Sequence, residues 1–298
     1  MFTPRKSWFE ASARHRLDGL VDPGTFREFA GPGQRLQSPT LAAFDLPTAF
    51  DDGAVVGVAR VAGHDVAVAA QEGKFMGGAF GEVHAAKVTG LLRRALTRRP
   101  KAVVLLLDSG GVRLQEANAG EIGATEIIRG VLDARAAGIP VYGLIGGSCG
   151  CFGGAGILAG CLDALVVSEQ GRIGVSGPEV IETTMGVEAF DSRDRALVWR
   201  TTGGKNRYLC GMAETLVPDD LPAFRQALVD LLEGGFTRPL ETAPTEQKAL
   251  EARLAAYGQA GDAVDIWRAM GLPEPERIPE ISVAALCGLA AKLPGGRR

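Results

Sequence analysis

Two glycines, Gly110 and Gly111, follow the apolar run 102–107 and lead into Val112-Arg113-Leu114-Gln115-Glu116. A strand that enters paired glycines and then a helix forms an anion site, because glycine admits a ligand close to the backbone and the first-turn N–H groups of a helix point out of its positive end. Donors of this kind can hold a developing oxyanion, and removal of a single one typically slows a reaction by about 100- to 1,000-fold. Gly110 and Gly111 are therefore candidate oxyanion donors, the other reading being a plain structural turn. The design recurs. Upstream, the run 65–70 leads to Phe75-Met76-Gly77-Gly78-Ala79-Phe80-Gly81 and a helical stretch over Glu82–Arg98, which adds Gly77 and Gly78 as donors. Downstream, 139–145 leads to the glycine-rich turn 146–154 and a small-residue helix to about Cys161, with Gly150, Gly153 and Gly154 as backbone positions open to a substrate. Around these turns Arg113, Gln115, Glu116 and Lys74 are candidate substrate contacts. Arg113, Lys74 and Lys87 suit a phosphate or carboxylate, arginine most of all because its fork binds both oxygens. The same charges could equally sit on helix surfaces or pair with Glu116 or Glu82.

The elements that must position these groups are strand, glycine turn, helix units. The runs 55–61 and 66–70 flank a turn at Ala62-Gly63-His64. Further on, Ala164–Ser168 and 172–175 read as short strands, and Ser176-Gly177-Pro178-Glu179 opens a helix with proline at its first position and Glu179 and Glu182 near its positive end. Strands alternating with helices argue for a largely parallel sheet. The tail from about Thr237 carries amphipathic helical patterns over 246–257 and 263–270, broken by Pro273, Pro275 and Pro279, and 294–298 reads as loose.

Composition removes several classes. A net charge of −3, from 32 basic and 35 acidic residues, gives no nucleic-acid footprint. The segment 136–162 has no charged residue, a length that could span a membrane, yet 9 of its 27 residues are glycine and Pro140 interrupts it, which favours buried strand and turn. The first sixteen residues carry charge throughout with no apolar signal core, so a cytoplasmic location is expected. The 5 cysteines, none in a Cys-x-x-Cys pair, predict no metal site. Gly146-Gly147-Ser148-Cys149-Gly150 fits a nucleophile elbow, but His15, His64 and His84 all precede Ser148, the wrong chain order for an α/β-hydrolase. His15 reads as surface, His64 as part of a hairpin turn, and His84 as packed structure with a lesser chance of facing a site.

The turn residues together resemble one family, the carboxyltransferase branch of the crotonase superfamily, and within it the biotin-independent malonate decarboxylase beta subunits. The resemblance rests on 75–81 with Glu82 and Lys87, on Gly110 through Asn118, on Cys151-Phe152-Gly153-Gly154, on 174–182, on Phe190-Asp191-Ser192-Arg193-Asp194-Arg195, and on Trp199 with Thr202-Gly203-Gly204. It covers roughly residues 5 to 235. It implies an α/β fold, a crotonase/ClpP-like spiral of repeated ββα units with helical terminal extensions: 1–45, a core over 46–236, and 237–298. It also implies decarboxylation of a malonyl thioester through an enolate held by backbone N–H groups. The thioester would ride on an acyl-carrier protein bearing a dephospho-CoA-derived prosthetic group, with no cofactor bound by this chain. A homologous gamma subunit would complete the site, and neither nucleic acid nor membrane is an implied partner. Bacterial acetyl-CoA carboxyltransferase beta subunits carry a four-cysteine zinc ribbon near the N-terminus, whereas no cysteine here precedes Cys149. Two alternatives remain: a carboxyltransferase subunit of a biotin-dependent acyl-CoA carboxylase, and a noncatalytic assembly subunit.

Overall fold

The structure is a computed structural model that describes residues 6–48, 50 and 53–293. The described strands are β1 (Arg27–Phe29), β2 (Ala54–Val61), β3 (His64–Gln71), β4 (Ala102–Leu107), β5 (Val141–Ile145), β6 (Ala164–Ser168) and β7 (Thr215–Val217). They make one sheet whose spatial order is the chain order; β1, β2 and β3 pair antiparallel, and β3 through β7 pair parallel. The helices in chain order are α1 (Ala13–Leu20), α2 (Pro39–Ala43), α3 (Glu82–Arg98), α4 (Ala119–Ala136), α5 (Gly154–Gly160), α6 (Pro178–Met185), α7 (Arg195–Thr202), α8 (Gly204–Leu209), α9 (Leu221–Gly234), α10 (Ala243–Tyr257), α11 (Ala263–Ala269) and α12 (Val283–Ala290). Thus α3 connects β3 to β4, α4 connects β4 to β5, and α5 connects β5 to β6.

The inner strands are apolar without interruption because both faces of the sheet are covered. Successive side chains alternate between faces: Val103 and Leu105 join Leu91 and Leu92 of α3 and Ile127 and Val131 of α4 in one core, which also takes in Trp267 of α11 and Leu286 of α12. Val104 and Leu106 join Leu17 and Leu20 of α1 and Phe224 and Leu228 of α9 in the other. Trp8 seals this second core, stacked on Phe224 with ring centroids 3.9 Å apart. The segment before β1 therefore helps to build the second core, and the segment after α9 the first.

Past the strand ends the chain forms a second set of parallel bridges, Phe80 to Val112, Ser109 to Cys151 and Cys151 to Ile173. Each strand leaves the main sheet, makes a glycine turn, touches its neighbour in this lateral layer and enters a helix, which is the expected spiral of repeated units. The stretch 172–175 takes part only through such bridges, Ile173 to Cys151 and Arg172 to Gly203. The uncharged segment 136–162 resolves into β5, a glycine turn and α5, and no described helix is long and apolar enough to cross a membrane.

One expectation needs correction. No helix follows Gly111 directly: a single 3-10 turn at Leu114–Glu116 intervenes and α4 starts at Ala119. Val112 is held in the bridge to Phe80, and Ala117 takes a positive φ of 48°, so the backbone cannot wind continuously from the glycines into the helix. In the tail, α10 and α11 form as expected, but α10 buries none of its residues, and Leu250 and Leu254 are 48% and 71% exposed. The stretch 294–298 lies outside the described residues.

Candidate active site

The loops at the C-terminal ends of β3, β4 and β5 converge on Asp108, the residue after β4. Its carboxylate is 1% exposed. Oδ2 accepts from Arg16 Nη1 of α1 at 2.8 Å, Oδ1 accepts from the Cys149 N–H at 2.8 Å, and the Asp108 N–H donates to Gln71 Oε1 at 2.9 Å. The Asp108 carboxylate thus fixes the first core helix and the turn after β5, while its backbone N–H ties down the end of β3. Gly147 is required beside it, since a Cβ there would lie 2.1 Å from the Asp108 carboxyl carbon. Gly78 is required for the same kind of reason: a Cβ would sit 1.7 Å from the Asp108 carbonyl oxygen.

A second buried constellation holds the Gly-Gly-x-Arg-x-Gln-Glu segment. Arg113 Nη1 donates to Glu116 Oε1 at 3.0 Å and Arg113 Nε to the Ala79 carbonyl at 3.1 Å. Glu116 Oε2 accepts the Glu82 N–H at the start of α3 at 2.6 Å. Glu82 in turn accepts from the hydroxyls of Ser38 and Thr40. Burial alone would raise the Glu82 pKa, but these hydrogen bonds outweigh it and hold the carboxyl below its usual range. Arg113 and Glu116 were expected to contact substrate; the structure turns both inward, 3% and 1% exposed, as a clamp between the β4 loop and α3. Lys87 is likewise turned in, its Nζ donating to the Ala54 carbonyl at 3.0 Å. His84 is fully buried, packed on Phe80 and 3.4 Å from Gln71 Nε2.

With these groups accounted for, backbone remains at the surface. Gly111 and Gly153 lie back to back, for a Cβ on Gly153 would stand 3.2 Å from Gly111 Cα. Both have positive φ, 140° and 59°, conformations that side-chain-bearing residues rarely adopt. Among the candidate donors, the Gly110 N–H is taken by the Gly77 carbonyl at 2.9 Å, that of Gly78 by Phe75 at 3.0 Å, that of Gly153 by Val175 at 2.9 Å, and that of Gly150 by Gly147 at 3.2 Å. Among the described residues the Gly111 N–H reaches only the Ser109 hydroxyl, at 3.2 Å. The N–H groups of Gly77 and of Gly154, the first residue of α5, have no acceptor among the described residues. The contact of Gly111 with Gly153 thus brings the β4 loop against the β5 loop, with Gly154 the next residue along. Lys74 and Gln115 are exposed beside them, Gln115 Nε2 lying 3.8 Å from Met76 Sδ.

Large apolar side chains surround this mouth in the open. Met76, Leu114, Ile122, Ile157, Val175 and Val180 are 45 to 81% exposed. Arg172 borders the β5 loop, donating to the Ser148 carbonyl, with its guanidinium over the rings of Phe152 and Trp199. Sequence reasoning assigned no role to Arg16, Asp108 or Arg172. Asp108 did carry a signal, a charge at the end of a wholly apolar strand, but its partner in α1 could not be read from spacing.

The family model described as the carboxyl transferase domain matches residues 10–228. The malonyl-S-ACP:biotin-protein carboxyltransferase of Malonomonas rubra is 36% identical, over 97% of this chain and 96% of the relative. The acetyl-coenzyme A carboxylase carboxyl transferase subunit beta of Fusobacterium nucleatum is 31% identical over 60% of each chain. Among solved structures, a chain of a Pseudomonas malonate decarboxylase hetero-tetramer in complex with malonate is 36% identical with a TM-score of 0.81, covering 89% of this chain and 98% of that one. The chain therefore belongs to the carboxyl transferase domain family and is related to its malonate decarboxylase members.

Proposed function

We propose that this chain is the beta subunit of a malonate decarboxylase, converting a malonyl thioester to an acetyl thioester and CO2 without biotin. The observation that carries the reading is the back-to-back placement of Gly111 and Gly153, which joins the β4 loop to the β5 loop; the Gly111 and Gly154 N–H groups are read as the pair that meets the substrate oxygen. The thioester carbonyl oxygen binds there. As the bond from Cα to the carboxylate breaks, CO2 leaves and the electron pair moves into the new double bond, so that the carbonyl pair becomes negative charge on the held oxygen. Two N–H donors aimed at that oxygen stabilise the enolate more than the starting carbonyl, which is what lowers the barrier. A proton from solvent then adds to Cα, the double-bond pair forming the new C–H bond, and the acetyl thioester results. Asp108, Arg16, Arg113 and Glu116 act on the loops and not on the substrate: they keep the two glycine turns in register.

The exposed apolar rim supports a second subunit over this mouth, because surface of this kind usually marks an interface. The solved Pseudomonas relatives are hetero-oligomers, a hetero-tetramer and a hetero-dimer. The partner is read as a homologous gamma subunit, and the thioester is delivered by an acyl-carrier protein on a dephospho-CoA-derived arm. Lys74 and Gln115 lie exposed where that arm would pass.

A second reading has a specific observation behind it: the Malonomonas relative is named for transfer to a biotin protein. The enolate step is common to both, and only the fate of CO2 differs. The discriminating experiment supplies malonyl thioester to the assembled subunits in D2O, with no biotin or ATP. Release of CO2 with one deuterium in the acetyl methyl supports the decarboxylase. A product that forms only when biotinylated acceptor protein is added supports the carboxyltransferase, and no product in either arm supports an assembly role.

A further inference from the structure

Far along the chain from the glycine turns, a cavity of about 430 Å³ lies between α8, α10 and α11. Its walls combine the guanidinium groups of Arg207 and Arg253 with Leu250, Leu254, Tyr257 and Ile266. The charges in it do not balance. Among the described residues Arg207 has one hydrogen-bond acceptor, the Met212 sulfur at 3.3 Å, and thioether sulfur is a weak one. Its Nε is buried with no acceptor among the described residues. Arg253 donates to the Cys210 carbonyl. Among the described residues neither guanidinium has a carboxylate within 4.0 Å. The carboxylate that lines the cavity, Asp262, is already engaged by Arg200, through Nε at 3.2 and 3.3 Å and Nη2 at 3.1 Å.

Burial pulls the Arg207 pKa below the usual arginine range, and the like charge of Arg253 adds to this. Arginine nevertheless stays protonated, so among the described residues the two positive charges of Arg207 and Arg253 have no carboxylate paired with them, Asp262 being held by Arg200. An unpaired charge taken out of water is costly, and folded chains normally supply a partner for it. Here the apolar residues that would make the cavity a plain core gap are also left open, since α10 buries none of its residues.

We propose that this cavity binds an amphiphilic organic anion, with a carboxylate or phosphate head between Arg207 and Arg253 and an apolar body along Leu250, Leu254 and Tyr257. The head supplies the missing counter-charge and accepts from both guanidiniums; the body covers the exposed leucines of α10. The site is separate from the oxyanion turns and stands whether or not the decarboxylase reading holds.

The test uses the full chain, in complex with its partner subunit, at constant ionic strength. Octanoate, octyl phosphate and octylamine are titrated while heat and thermal midpoint are followed. Saturable binding of at least one of the two anions with a raised midpoint, and none of octylamine, is expected, the better anion identifying the head group. Since a hydrogen bond to a charged group contributes about 1.5–3 kcal/mol, Arg253→Met should weaken binding by roughly tenfold or more. Arg207→Met should abolish it. Arg253 lies on the outer helix, so its variant keeps the test open if the Arg207 variant does not fold. Absence of anion binding to the folded wild-type complex, equal binding of octylamine, or unchanged affinity in Arg253→Met would overturn the proposal.

Discussion

Arg16 of α1 and Asp108 at the end of β4 form an ion pair of 2.8 Å with side chains only 2% and 1% exposed. Ninety-two positions separate them. The pair joins the N-terminal helix to the residue that also holds the Cys149 N–H and Gln71. Breaking such a pair from one side leaves a buried charge alone, at a cost of about 3–5 kcal/mol. Asp108→Asn should therefore lower unfolding free energy by that order in urea denaturation. Replacing both partners, Arg16→Met with Asp108→Asn, should cost less than the two single changes summed, because they share one interaction.

Glu116 does two jobs, pairing with Arg113 and accepting the first N–H of α3. Glu116→Gln keeps the shape and removes one carboxylate charge from beside the buried Arg113 guanidinium. A loss on the order of 2–4 kcal/mol is expected. The KM for thioester should change little, because the side chain does not face the substrate; a KM rise with unaltered stability would instead return Glu116 to the substrate site.

Acid stability should contain an identifiable share from Asp22. Its carboxylate accepts the Gly63 N–H at 2.8 Å and the Ala62 N–H at 3.0 Å, and pairs with Arg225 at 2.7 Å. The Gly63 hydrogen bond first, and Arg225 next, hold its pKa below the ordinary value of 3.8. A depressed folded-state value means that the stabilisation is complete above the unfolded value and fades as pH falls through the folded one. The stability gap between wild type and Asp22→Asn should accordingly be full near neutrality and shrink below about pH 4. Denaturation curves across that range check it, and a pH-independent gap would assign the effect to geometry.

The apolar rim gives a separate prediction. Leu114 is 81% exposed, so Leu114→Asp should leave the isolated chain folded, with unfolding free energy within about 0.5 kcal/mol of wild type. If the rim is the subunit interface, the same change buries a charge there and should weaken hetero-assembly by tenfold or more in analytical ultracentrifugation.

The strand, turn and helix units were legible because each has its own period: apolar runs at β4, β5 and β6, glycine punctuation, and caps such as Pro178 at the start of α6. β1 and β7, three residues each, are too short to carry a pattern. The glycine turns were found as places, but which N–H groups stay open depends on neighbours distant in sequence, such as the Gly77 carbonyl that occupies Gly110. Arg113 reads as a substrate ligand by type and turns inward because Gly81 leaves space for it: a Cβ at Gly81 would lie 2.4 Å from Arg113 Nη1. Spacing along the chain cannot reveal that contact, nor the ion pair of Asp108 with α1.

The most direct test of the account compares wild type and Gly111→Val, each assembled with the partner subunit, for CO2 release from malonyl thioester without biotin or ATP. Open space faces the position where the new side chain would project, so the substitution acts on the turn and its N–H and not on the core. The account predicts turnover by wild type and a rate at least about 100-fold lower for the variant, with folding and assembly intact. Equal rates, or no CO2 from the wild-type assembly, would contradict it.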